Sequence, residues 1–298
     1  MRRRELLSGA APALVLAPAA FGAARKSRGQ PLDLARPEDS LRALVKLRGD
    51  LAGGRVLQTY TGTLALLVPG RQSAPVARYQ GIIRTDWTPQ PDGRFLYRTF
   101  DLGYFGDLAT GRPVETLPNP LTGATLQPQD VRDGPITSIY SRHGTFRDGA
   151  PLDTSKSLSI DWRRAGDHLW YGADLAFENV NPLPPAQYPE LSSSEQLFQR
   201  STFTYKGRLS ELEDASTTRG SMETILLVHS TVHPWLRMGR LPAVQSIHTV
   251  SHKIDRAEQA PREVLDYIER VMPEFLSADT PFKSSGGSFE RYKRERLT

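Results

Sequence analysis

The chain has 298 residues, with 38 basic and 33 acidic side chains and a formal net charge of +5. It contains no cysteine, which excludes disulfide bonds, thiolate nucleophiles, cysteine-ligated zinc and iron–sulfur clusters. The positive excess is too small to predict a nucleic-acid partner, and we expect none. A chain of this length can bury a substantial core within one large domain.

The first 24 residues have the composition of an export signal. Three arginines at 2–4 precede a stretch of small and apolar residues, in which Pro12 and Pro18 would interrupt a structural helix. The stretch is also too short to span a bilayer. We therefore interpret 1–24 as a twin-arginine-type signal read by the twin-arginine export machinery. We expect 25–298 to form a single β-rich domain that is periplasmic or secreted, with no stable membrane anchor after cleavage.

The remaining pattern is that of strands between two terminal helices. An amphipathic helix is predicted from Pro37 to Gly49, and a second helix over 260–276. Strands are predicted at 56–68, 76–87, 95–105, 157–162, 168–177, 198–205, 222–233 and 243–254. The proline-rich segment 182–189 predicts a surface loop or lid, and the basic end 291–296 a solvated tail. The pattern predicts a mainly β protein: an antiparallel barrel-like or sandwich body with an N-terminal and a C-terminal helix packed on it.

Four short motifs carry a resemblance to a known family. They are YFGDLATG at 104–111, NPLTG at 119–123, DGPI at 133–136 and PWLRMG at 234–239. In these motifs the chain resembles a secreted bacterial family catalogued as domain of unknown function 1838. Leu117 and Pro118 stand where that family's tryptophan is expected, so no aromatic ligand contact is carried over to this position. The resemblance implies a fold and export, but neither a reaction nor catalytic residues.

Two predicted neighbouring strands carry the candidate catalytic residues. If 222–233 and 243–254 pair antiparallel, His229 lies opposite or diagonal to His248, and Glu223 shares a strand face with His229. An imidazole and a carboxylate in one lumen form an acid/base pair. The alternatives are isolated histidines with a surface glutamate, and a histidine/carboxylate metal site. No cofactor motif is visible, and we expect no cofactor and no metal.

The aromatic residues on the predicted strands indicate a ligand cavity or a packed core. Core packing explains most of them equally well. The candidate substrate-binding residues are Tyr97, Arg98, Trp170, Trp235 and Arg237. A cavity lined by aromatic rings with a few fixed polar groups suits a hydrophobic or aromatic small molecule.

The leading functional hypothesis is an exported enzyme that does cofactor-free acid/base chemistry on such a molecule, of the lyase, isomerase or cyclase type. No phosphate-binding loop, His-Glu-x-x-His or Gly-x-Ser-x-Gly motif supports the common nucleotide-binding and hydrolase classes. The alternatives are a non-catalytic periplasmic binding protein for a similar ligand and a structural envelope protein.

Overall fold

The computed structural model describes residues 31–147, 149–283 and 286–298. The predicted export signal lies outside the described residues and stays a prediction. Among the helices of the described part, none has the length and apolar character needed to cross a membrane.

The described chain forms one large antiparallel sheet with helices at both ends of the sequence. The helices are α1 (Pro37–Arg48), α2 (Leu209–Glu213), α3 (Arg262–Val271) and α4 (Ser288–Arg296). The strands are β1 (Gly54–Leu67), β2 (Ala74–Pro89), β3 (Phe95–Gly106), β4 (Leu117–Pro118), β5 (Thr125–Leu126), β6 (Val131–Ser141), β7 (Gly144–Arg147), β8 (Arg163–Ala165), β9 (His168–Val180), β10 (Gln196–Arg208), β11 (Glu223–Thr231) and β12 (Val244–Ile254). Ten strands pair in the order β7-β6-β3-β2-β1-β12-β11-β10-β9-β8, and β4 pairs only with β5.

The large sheet curls into a half-barrel. Tyr140 on β6 and Tyr205 on β10 lie six strand positions apart in the sheet. At about 4.8 Å per strand a flat sheet would separate them by almost 30 Å. The guanidinium of Arg48 nevertheless lies 5.5 Å from the Tyr140 ring and 4.6 Å from the Tyr205 ring. The face that carries both tyrosines is therefore concave, and the C-terminal end of α1 lies inside the curl.

Two apolar clusters close the two ends of the concave face. At one end α1 buries Leu41, Leu44 and Leu47 against Trp87 and its neighbours. Its first turn is acidic and its last turn basic, which suits the helix dipole. At the other end the β4–β5 hairpin packs against the sheet together with Trp235.

The convex face is covered over β2 and β3 and at the adjoining ends of β1 and β12, where Leu57 and Ile254 join the same cluster. There α3 and the 3-10 turn Pro273–Leu276 pack on Ile82 and Phe100. Arg84 is fully buried beneath this cover, where it donates to the Phe275 carbonyl and pairs with Asp86. Over β9 to β12 the same face carries many exposed and half-exposed side chains.

The structure confirms the predicted fold class and corrects four local predictions. Residues 157–162 form no strand, because their apolar side chains pack on the α1 cluster instead of joining a ladder. The predicted helix 260–276 breaks into α3 and a 3-10 turn at Pro273. The predicted solvated tail is part of α4, whose buried Arg291 pairs with Asp130 at 2.8 Å. β6 and β7 were not predicted at all.

Candidate functional site on the concave face

The predicted histidine pairing exists, but on the convex face. β11 and β12 pair so that His229 faces Ser246 and His248 faces Leu227, which places the two imidazoles diagonally. Both are partly or fully exposed, and the concave neighbours Val228 and Ile247 are buried. The structure therefore puts this pair outside the curl rather than in a lumen.

Glu223 does not join the two histidines. It lies six residues from His229, or about 20 Å along the strand. Its nearest charged partner is Lys206, at 3.6 Å, and its cross-strand neighbour is His252. The acid/base role of His229, His248 and Glu223 stays a prediction that the geometry does not support.

The predicted substrate-binding residues separate into three places. Tyr97 lies on the concave face, whereas Arg98 and Trp170 point to the convex face because they alternate with the inward residues of β3 and β9. Trp235 and Arg237 do come together, at a surface cavity of about 290 Å³. The Trp235 ring packs 5.1 Å from Phe105, while the Arg237 side chain pairs with Glu190 at 3.6 Å.

The middle of the concave face carries a carboxylate held by two tyrosines. Asp101 projects inward from β3, and its partner on β6 is Asp133. The Tyr60 hydroxyl donates to one Asp101 oxygen at 2.8 Å, and the Tyr79 hydroxyl donates to the other at 3.4 Å. Asp101 is half-buried and Asp133 is exposed, so solvent reaches this pair of carboxylates. We call Asp101, Asp133, Tyr60 and Tyr79 the carboxylate site.

Two glycines make room for the Tyr60 ring. Gly81 on β2 and Gly103 on β3 are direct cross-strand partners, and a Cβ added to either would collide with the Tyr60 hydroxyl. Neither glycine has a positive φ, so both are needed for space rather than for backbone conformation. The pair of glycines therefore sets the position from which Tyr60 reaches Asp101.

The environment raises the pKa of Asp101 toward neutral pH. Burial, together with the neighbouring Asp133 carboxylate, raises the pKa of Asp101 from 3.8 to about 7. Burial beside Asp101 also raises the pKa of Tyr60 and of Tyr79 well above 10, so both phenols stay protonated and donate. A general acid or base is most effective when its pKa lies near the working pH.

Gly103→Ala should cost about 1–3 kcal/mol of unfolding free energy, because the new methyl group must displace the Tyr60 hydroxyl from Asp101. The cost should be clearly smaller in a Tyr60→Phe background, which thermal unfolding of the double-mutant cycle measures. Gly172→Ala is the matched control: its nearest neighbour lies 3.8 Å from the added Cβ, and we expect a change within about 0.5 kcal/mol. An equal cost in both backgrounds would contradict the role of the glycine.

A cation enclosed by four tyrosines lies at the α1 end of the same face. Arg48 donates to the Tyr140 hydroxyl at 2.7 Å and to the Tyr97 hydroxyl at 3.4 Å. Its guanidinium also stacks on the Tyr205 ring, which in turn stacks on Tyr171 with 5.0 Å between ring centres. All four tyrosines are at least nine-tenths buried. We call Arg48 and these tyrosines the arginine–tyrosine cage.

Much of the remaining concave face is polar. Inward-facing residues of β1, β10, β11 and β12 there are buried but carry amide or hydroxyl groups, namely Gln58, Ser201, Thr224, Thr249 and Ser251. The Thr224 hydroxyl has no hydrogen-bond partner among the described residues. In the described ranges no three His, Asp or Glu side chains converge as a metal ion would require.

Sequence comparison identifies the family to which this protein belongs. Residues 54–295 match the profile of a family described as "Protein of unknown function (DUF1838)". The chain belongs to the DUF1838 family. The match runs from β1 into α4, so the DUF1838 region includes the whole carboxylate site, whereas Arg48 on α1 lies just before it. A comparison with curated proteins finds no match.

Asp101 and Arg48 were missed by reasoning from the sequence, although β3 contained a usable signal. Tyr97, Asp101 and Phe105 share strand parity, so an inward carboxylate among aromatic residues could have been read from the alternation. Arg48 had no such signal, because a basic residue in the last turn of a helix is ordinary.

Proposed function

We propose that this DUF1838 protein is an enzyme that moves a proton on a small molecule bound to the concave face, with Asp101 as the general acid or base. The observation that carries the proposal is a half-buried carboxyl group that accepts hydrogen bonds from two phenols, at a position where burial and the Asp133 carboxylate raise its pKa to about 7. Proton abstraction of this kind leads to elimination, isomerisation or cyclisation, and the residues named here supply it without a cofactor.

The lining of the face supports a ligand of mixed character. Aromatic rings stand at both ends of the carboxylate site, and buried hydroxyl and amide groups lie on the neighbouring strands of the same face. Rings contribute apolar contact area, and a few placed polar groups fix orientation. A small molecule with an aromatic or apolar body and polar substituents fits such a surface.

A labelling screen tests this proposal before the substrate is identified. The protein is incubated in D₂O with a bacterial metabolite extract, and untargeted mass spectrometry follows every compound. We expect one compound to gain deuterium or to be converted by the wild-type protein, and to remain unchanged with Asp101→Asn. A compound that is retained but never altered would favour the non-catalytic binding protein. Conversion that persists in the variant would refute the role of Asp101.

The stability of the protein should depend on pH through Asp101. Its pKa is about 7 in the folded chain, against an ordinary value of 3.8. Between these pH values Asp101 is protonated in the folded chain but ionised in the unfolded chain. The contribution of this protonation to the free energy of unfolding is therefore complete below about pH 4, and it is lost as the pH rises through 7. Between pH 5 and pH 8 the wild-type protein loses this stability and Asp101→Asn does not. The Tm of the variant should therefore rise relative to that of the wild type, by about 2–4 °C for each kcal/mol of unfolding free energy that the wild type loses. Calorimetry at both pH values measures this difference, and a constant difference would contradict the raised pKa.

A further inference from the structure

We propose that the arginine–tyrosine cage binds an anionic group of the substrate, a carboxylate or a similar oxyanion attached to an aromatic or apolar body. The inference rests on the proposed function, since it assigns a substrate class to the same concave face. It also predicts where the substrate is anchored: at the α1 end of the face, away from the carboxylate that moves the proton.

The charge on Arg48 has no counter-ion in the described structure. None of the ion pairs among the described residues includes Arg48. Its hydrogen-bond acceptors are the neutral hydroxyls of Tyr97 and Tyr140, while the guanidinium has five N–H donors. A cation withdrawn from water without an anion is unfavourable, and the side chain is still partly exposed. A bound anion would supply the missing charge.

The phenols around Arg48 are donors as well as acceptors. Burial raises the pKa of Tyr97 to about 12 and that of Tyr171 well above 10, so both keep their protons at neutral pH. Tyr171 is buried beside the Arg48 guanidinium, but its hydroxyl forms no hydrogen bond of normal geometry with any described residue. The cage therefore combines one positive charge and several O–H donors with no carboxylate. This combination favours an oxyanion over a neutral group.

The strand geometry sets the length of such a substrate. Tyr97, which contacts Arg48, and Asp101 lie four residues apart on the inward face of β3. Their Cα atoms are about 13 Å apart, at about 3.3 Å per residue. A molecule anchored by its anionic group at Arg48 must therefore be elongated to place its reacting atom beside Asp101.

Benzoate and benzamide are suitable probes because they share a ring and a shape but differ in charge. In titrations of the full chain followed by ligand-detected NMR, benzoate should bind at least tenfold more tightly than benzamide. Arg48→Gln should reduce the affinity for benzoate by about tenfold or more, as expected for the loss of a charge-assisted bond. Equal binding of the two probes, or unchanged benzoate affinity in the variant, would overturn the proposal.

Tyr171→Phe decides the question if Arg48→Gln does not fold. This change removes only the hydroxyl beside Arg48, which forms no hydrogen bond of normal geometry, and keeps the ring that stacks on Tyr205. We expect an unchanged or higher Tm together with several-fold weaker benzoate binding; unchanged binding would mean that the cage is only structural. Asp101→Asn should bind benzoate as the wild type does. A failure of the proposed proton transfer would therefore leave the benzoate result intact.

Discussion

Replacing Asp101 by asparagine should lower turnover of the eventual substrate by about 10²–10⁴-fold, the usual contribution of one general acid or base. The fold should survive, because asparagine has nearly the same shape and can still accept a hydrogen bond from the Tyr60 hydroxyl. Above pH 7 the variant should even gain stability, since it avoids a carboxylate in a partly buried site beside Asp133. The measurement is turnover and Tm in the same buffer.

The pH profile distinguishes a reacting carboxylate from a structural one. Wild-type activity should change near pH 7, rising with pH if Asp101 acts as a base and falling if it acts as an acid. Tyr60→Phe removes a hydrogen bond that favours the ionised carboxylate, so the midpoint should move to higher pH. His229→Gln is the matched control on the convex face and should leave both turnover and midpoint unchanged. If His229→Gln abolishes turnover and Asp101→Asn does not, the histidine prediction is the correct one.

Lys253→Met should cause the largest loss of stability, about 3 kcal/mol or more. The Lys253 amine lies between 2.6 and 3.2 Å from four carbonyl oxygens, those of Lys46, Leu47, Gly49 and Gly220. Three of these belong to the C-terminal end of α1 or the residue that follows it. Methionine is similar in size but would leave the Leu47, Gly49 and Gly220 carbonyls without this donor, whereas the Lys46 carbonyl still accepts from the Gly220 amide at 2.8 Å.

A second lysine provides the control for this measurement. Lys206 is 43 % exposed and pairs with Glu223 at 3.6 Å, so Lys206→Met should change the unfolding free energy by less than about 1 kcal/mol. Burial next to Arg219 lowers the pKa of Lys253 to about 7, and the amine can donate in either protonation state. Denaturant unfolding at pH 6 and pH 8 should therefore show a large loss for Lys253→Met at both values. A loss no larger than that of the control would show that α1 does not depend on this amine.

Strands whose residues alternate strongly could be predicted from the sequence. A strand that contains residues typical of turns could not. β11 and β12 alternate buried and more exposed residues over most of their length, so their pairing could be predicted. β6 contains Asp133-Gly134-Pro135, a combination typical of turns, and local propensity therefore pointed away from a strand. Tertiary pairing with β3 overrides that preference.

The candidate site was harder to predict because it depends on curvature. Periodicity places Glu223 and His229 on one face of a strand, but it does not say which face of the sheet becomes concave. The concave face is the one that encloses the C-terminal end of α1, where Arg48 lies among tyrosines of four different strands. Such long-range contacts leave no local pattern in the sequence.

The order of the strands also determines the stage of folding at which the concave face can form. β1 and β12 lie side by side at the centre of the sheet, with Leu57 paired to Ile254 across about two thirds of the length of the chain. Each half of the sheet is a meander of local hairpins, but the join between them is non-local and slow to form. Tyr97 and Tyr140 come from one half, Tyr171 and Tyr205 from the other. A ribosome must therefore finish β12 before the two halves can meet around Arg48, and the cage is among the last parts of the protein to assemble.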